Sequence, residues 1–154
     1  MRLLIFISIL LSSCINNKSD DNIFCINASS VKDYGADEYG MKKYVIAFLK
    51  EGPNRDISKE EAIKLQTAHL KNIEKLAEEK KLVVAGPFLD RGELKGIYIF
   101  NVTTIEEAKQ LTNTDPAIQS GSLVMELKEW YSSAALMSVN DIHNILSSKI
   151  SQNN

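Results

Sequence analysis

The sequence predicts an α+β domain of ferredoxin-like β-α-β-β-α-β order. Three observations carry it: four short β-prone runs, two capped amphipathic helices set between them, and Gly/Pro/Asp turn signals at the junctions. Residues 44–49 (YVIAFL) form the first run, closed by Gly52-Pro53-Asn54. Ser58-Lys59-Glu60-Glu61 is a capping box, in which the Ser58 hydroxyl accepts from the Glu61 backbone N–H and the Glu61 carboxylate reaches back. It predicts a helix from Lys59 to about Lys80, with Lys75, Lys80 and Lys81 at the negative end of its dipole. The second run is residues 82–89 (LVVAGPFL), broken late by Gly86-Pro87, and Asp90-Arg91-Gly92-Glu93 makes a hairpin turn. Residues 96–102 (GIYIFNV) are the third run. Thr103-Thr104-Ile105-Glu106-Glu107 caps a second helix to about Leu111. Asp115-Pro116 opens a short helical turn, with Asp at the N-cap and Pro at the first helical position. In residues 123–131, Leu123, Met125 and Leu127 alternate with Val124, Glu126 and Lys128, as in a half-buried strand.

This topology puts both helices on one face of the sheet. The first and third runs are nonetheless apolar on consecutive residues, so both sheet faces call for burial. Val45, Ala47 and Leu49 meet the helices, whereas Tyr44, Ile46 and Phe48 have no expected cover within the chain. The expected solution is a homodimer packed sheet to sheet.

The flanks read differently. The chain has 154 residues and a net charge of −2, which offers no basic surface for nucleic acid. Residues 1–10 (MRLLIFISIL) place one Arg before an apolar run too short for a membrane span and of signal-peptide length. Leu11-Ser12-Ser13-Cys14 follows and resembles a bacterial lipobox. The expected processing is cleavage after residue 13 and lipidation of Cys14, which anchors the protein to the membrane of the bacterial cell envelope. Residues 14–40 are rich in Asn, Ser, Asp and Gly and read as a tether. They contain Cys25, which has no intramolecular disulfide partner once Cys14 is lipidated and reads as an incidental thiol, with intermolecular pairing as the alternative. The folded domain is expected over residues 41–131, and residues 132–154 as a polar tail with a weak helix over 140–150.

Two residues stand out chemically. On a wheel with Ile63 at zero, Leu65, Leu76, Ala62, Ile73, Ala77 and Leu70 fall on one side, between about 200° and 340°. His69 and Gln66 fall inside that stripe. His69 is therefore either a core histidine bonded to backbone or an imidazole in a pocket, able to exchange a proton near neutral pH. Asp115 is either fully explained as an N-cap or is a carboxylate that orients an imidazole. His143 reads as a solvated side chain. No metal-ligand spacing, no phosphate-binding Gly loop and no cofactor motif is present.

Residues 43–130 resemble the YCII-related (YciI-like) domain. The motifs are GPNRD (52–56), LQTAHLKNIEKLAEEKKL (65–82), AGPFLDRGELKGIYIF (85–100), EEAKQL (106–111), TDPAIQSGSLVMEL (114–127) and Trp130-Tyr131. The resemblance implies a ferredoxin-like fold, dimeric α+β-barrel assembly, and an active site made from a histidine in the first helix and an aspartate before proline. Those positions are His69 and Asp115. Some relatives are implicated in eliminating chloride from chlorinated aromatic compounds, so the resemblance implies an unidentified small-molecule ligand without naming a reaction. One expectation is an enzyme of lyase or hydrolase type, with His69 as general acid or base, Asp115 setting its tautomer, Phe88 and Trp130 lining the pocket, and Arg55 attracting an anionic group. The other is a non-catalytic ligand-binding or interaction module on the envelope, in which His69 is structural.

Overall fold

The computed structural model describes residues 34–151. The expected signal segment, Cys14, Cys25 and the expected tether as far as residue 33 lie outside the described residues. The elements run β1 (Met41–Glu51), α1 (Lys59–Glu78), β2 (Leu82–Pro87), β3 (Leu94–Phe100), α2 (Ile105–Thr112), α3 (Pro116–Gln119), β4 (Leu123–Ser133), a 3-10 turn (Ala134–Ser138) and α4 (Val139–Ser151). The four strands form one sheet in the order β2-β3-β1-β4, with every neighbouring pair antiparallel. This is an α+β architecture consistent with a ferredoxin-like fold.

Both capping boxes form as the sequence predicts. Ser58 and Thr104 accept from the N–H of Glu61 and Glu107 at 3.2 Å, and each glutamate reaches back to the cap. Those hydrogen bonds hold the Glu107 carboxyl below the usual carboxylate range. α1 ends two residues earlier than expected. Lys80 has φ +57°, and the Lys80 and Lys81 N–H groups return to the carbonyls of Ala77 and Leu76, both at 2.9 Å. This is a Schellman stop with lysine in the left-handed position that glycine usually fills. β1 is longer than its apolar run because its polar ends are paired, Met41 opposite Ser133 and Glu51 opposite Leu123. Backbone pairing, rather than side-chain hydrophobicity, sets its length.

Strand alternation divides the core in two. Val45, Ala47, Leu49, Tyr98 and Phe100 face the helices and bury with Leu76 of α1, Leu82 of β2 and Ala108 of α2. Tyr44, Val83 and Ile99 make the other cluster, on the opposite face. This second face corrects the expectation of no cover. Leu136 and Met137 pack on Tyr44, Val83 and Ile99, and Tyr44 is fully buried, with its hydroxyl donating to the Ser133 carbonyl at 3.0 Å. Burial pushes the Tyr44 phenol up to about 12. The tail is therefore a packed element, and its helix lies close to where residues 140–150 predict it. Asn140 ties α4 to the edge strand through a 2.8 Å bond to the Leu82 carbonyl. Ile46 and Phe48 remain only partly buried.

The segment just ahead of β1 is held to the domain through Asp37. Asp37 accepts from the N–H groups of Tyr39 and Met41 and from the Tyr131 hydroxyl.

One close backbone contact positions α3. Gly52 N–H donates to the Ser122 carbonyl at 2.9 Å and Asn54 N–H to the Gly121 carbonyl at 3.0 Å. A Cβ on Gly52 would lie 2.1 Å from the Gly121 oxygen, so only glycine permits this approach.

Removing residues 134–154 uncovers Tyr44, Val83 and Ile99. Since burying one such side chain contributes roughly 1.5–3 kcal/mol, partial exposure of three should cost about 3 kcal/mol. Urea denaturation at neutral pH reads this directly, and a truncated chain as stable as the full one would make the tail an accessory.

Candidate active site

α1 carries its buried stripe on Ala62, Leu65, His69, Ile73 and Leu76, spaced three or four residues apart. His69 and Leu76 are its most buried members. Gln66 and Leu70, expected within the stripe, are exposed. A helix laid on one sheet face buries a stripe about 100° wide, and these two residues sit beyond its margin.

Asp115 is delivered from the other side of the helix layer. Its Oδ1 accepts from the Ala117 N–H at 2.9 Å, capping α3 at the position Pro116 opens. Its Oδ2 lies 2.7 Å from His69 Nδ1. Both readings of Asp115 therefore hold together, one oxygen each. The residue is fully buried and His69 is 8% exposed. A carboxylate only accepts, so the ring proton sits on Nδ1 and the neutral imidazole keeps its lone pair on Nε2. One turn further along α1, Asn72 and the Thr114 hydroxyl meet at 3.0 Å, a second link between α1 and the segment ahead of Asp115.

The far side of the imidazole meets a residue that sequence reasoning did not select. Tyr98, on β3, places its hydroxyl 3.2 Å from His69 Nε2. Its ring is nearly parallel to the imidazole, with centroids 6.1 Å apart. It also stands edge-on to Phe100 at 5.7 Å. Burial, assisted by the Asp115 charge, pushes the Tyr98 phenol well above the usual tyrosine range, so the hydroxyl stays protonated and donates to Nε2. The sequence does carry a signal for Tyr98. A tyrosine in the apolar run GIYIF, on the helix-facing side, needs a polar partner for its hydroxyl.

The other expected site residues are dispersed. Arg55 reaches the Ser122 carbonyl at 3.5 Å and Glu51 at 3.8 Å, and its side chain is largely exposed. Phe88 follows β2, with its N–H bonded to the Lys95 carbonyl and its side chain exposed. Trp130 pairs opposite Tyr44 in the β1–β4 register, and their rings lie 6.2 Å apart. That puts it on the sheet face opposite His69, so the two do not line one pocket within a chain. Strand parity decides this: Trp130 shares its face with Val124, Glu126 and Lys128, while Leu127 lies toward the helices.

Two surface clefts flank these elements. One, of about 540 Å³, runs between α1, β2 and α4, with Ile73, Ala77, Val84, Met137 and His143 among its walls. The other, of about 600 Å³, lies beside α3 against Thr112, Ile118, Leu123 and Met125. Neither is lined by His69 or Asp115. Among the described residues no group of three or more His, Cys, Asp or Glu side chains is placed to hold a metal, and no helix is long and apolar enough to cross a membrane.

A family model for the YCII-related domain matches residues 43–131. The uncharacterized protein YjpA of Bacillus subtilis (strain 168) is 36% identical over 62 residues, which is 40% of this chain and 71% of YjpA. Among solved structures, 5-chloro-2-hydroxyhydroquinone dehydrochlorinase (TftG) from Burkholderia phenoliruptrix AC1100, complexed with 2,5-dihydroxybenzoquinone, aligns with a TM-score of 0.44 and 23% identity. That alignment covers 58% of this chain and 93% of the dehydrochlorinase.

Asp115 can be dissected by two substitutions. Asp115→Ala removes both the cap and the charged hydrogen bond, and should cost about 3 kcal/mol in chemical denaturation. Asp115→Asn keeps an oxygen for Ala117 and should cost about 1 kcal/mol less. Equal losses would mean that the cap contributes nothing.

Proposed function

The chain belongs to the YCII-related domain family, and from its buried Asp115–His69 pair we propose a small-molecule enzyme of lyase or hydrolase type. His69 Nε2 is the general base or acid. Asp115 fixes the ring in the Nδ1–H tautomer and balances the imidazolium that forms on proton uptake. The observation that carries this reading is the 2.7 Å contact between Nδ1 and a fully buried carboxylate. A helix cap alone uses one Asp115 oxygen and gives no reason to bury a histidine against the other. Arg55 supplies a cation near the β1–α1 turn for an anionic substrate group.

A second reading has its own support. Both ring nitrogens of His69 already have partners and the side chain is 10% exposed, as a non-catalytic ligand-binding or interaction module would require. Turnover separates the two. A panel of activated esters and halogenated hydroxyaromatics, read by proton and halide release, should yield a compound on which His69→Gln loses about 10²–10⁴-fold in rate with its fold unchanged. A variant that turns over as the wild type does would remove His69 from the chemistry.

The setting of the enzyme is part of the proposal. Arg2, the short apolar run and Leu11-Ser12-Ser13-Cys14 support a lipoprotein held on the bacterial envelope through Cys14. The remaining apolar residues of the second sheet face, Ile46, Phe48, Ile97 and Trp130, support a homodimer joined there. A chain lacking residues 1–14 should leave the membrane fraction, to which the full chain is held by a diacylglyceryl mass on its N-terminal peptide, and should sediment as a dimer. Retention in the membrane would contradict the anchor, and a monomer at micromolar concentration would contradict the dimer.

A further inference from the structure

The geometry points to Tyr98 as a positioning residue that keeps the His69 base in reserve: its hydroxyl occupies the Nε2 lone pair until a ligand bearing its own acidic O–H or N–H takes that place. The inference rests on His69 being the proton acceptor of the site.

The two ring bonds of His69 are unequal. The Nδ1 contact to Asp115, at 2.7 Å, is short and charge-assisted. The Nε2 contact to Tyr98, at 3.2 Å, sits at the long limit for a hydrogen bond between neutral groups. The imidazole is thus anchored at one end and loosely held at the other. The Tyr98 ring itself cannot leave, because it is 2% exposed, edge-packed on Phe100 and carried by β3 in the interior of the sheet. Exchange at Nε2 therefore needs only rotation of the phenol O–H about its C–O bond and a small shift of the imidazole. The least buried member of the array is His69.

The incoming group must replace a hydrogen bond already made. A C–H bond offers no comparable donor, whereas a hydroxyl or an N–H does. On proton transfer the ligand's O–H or N–H bond breaks and an Nε2–H bond forms. The ligand becomes an anion, and the imidazolium is balanced by Asp115. No oxidant or cofactor enters the step.

Diethyl pyrocarbonate, which acylates a free neutral imidazole nitrogen, tests the reserve directly. The chain has two histidines, and the exposed His143 serves as internal reference. In full-length protein, Tyr98→Phe should raise the modification rate of His69, resolved by peptide mass spectrometry, by roughly two- to tenfold relative to His143, the factor for one neutral hydrogen bond. Phe100→Leu, which loosens the packing but keeps the hydroxyl, should leave the ratio unchanged. An unchanged ratio in Tyr98→Phe, or an equal rise in Phe100→Leu, overturns the inference. For any compound turned over by the wild type, KM should fall by a similar factor in Tyr98→Phe because the internal competitor is gone, and a rise contradicts displacement. The acylation ratio needs no turnover, so it fails independently of the catalytic role of His69.

Discussion

The carboxylate of Asp115 joins α1 to the turn that opens α3. One oxygen closes the first turn of α3 and the other holds an imidazole on α1. A fully buried carboxylate is costly unless its oxygens are satisfied, and here each has a partner. The pairing is also spatially economical: the segment before Pro116 has to sit against α1 for the cap and the His69 hydrogen bond to form together. The Gly52–Gly121 backbone approach serves the same end from the sheet side, since it fixes the loop through which α3 returns to β4.

The sheet supplies the rest through parity. On β3, Tyr98 and Phe100 point toward the helices while Ile97 and Ile99 point away. One face therefore builds the site and the other builds cover. The C-terminal segment, beyond the part of the chain matched by the family model, closes one end of that second face with Leu136 and Met137. The other end keeps Ile46 and Phe48 only partly buried, beside the Lys50–Glu93 and Lys50–Glu126 ion pairs. Both pairs involve solvent-exposed glutamates and add little stability.

Much of the fold was legible because its signals are local. Ser58 and Thr104 each announce a helix start within four residues, and Asp115-Pro116 announces another. The strand order follows from where those helices fall. His69 and Asp115 were legible as candidates, but their contact spans 46 residues of sequence and no spacing rule reaches that far. The misses share that cause. Tyr98 gains its role only when β3 lies beneath α1. The face of Trp130 is set by its pairing with β1, which local sequence does not reveal, and the tail reads as polar because few of its residues, Leu136 and Met137 among them, pack on the second face. The left-handed Lys80 was invisible because glycine is the usual signal for such a stop.

The most direct test of the account is the tautomer of His69. Nitrogen-15 spectroscopy of the two imidazoles, at a pH where both rings are neutral, distinguishes a protonated from an unprotonated ring nitrogen. With Asp115 accepting from Nδ1, His69 should be a single Nδ1–H tautomer with an unprotonated, hydrogen-bonded Nε2, while the exposed His143 serves as reference. An Nε2–H tautomer at His69 would leave Asp115 without a donor on that side and would contradict the account.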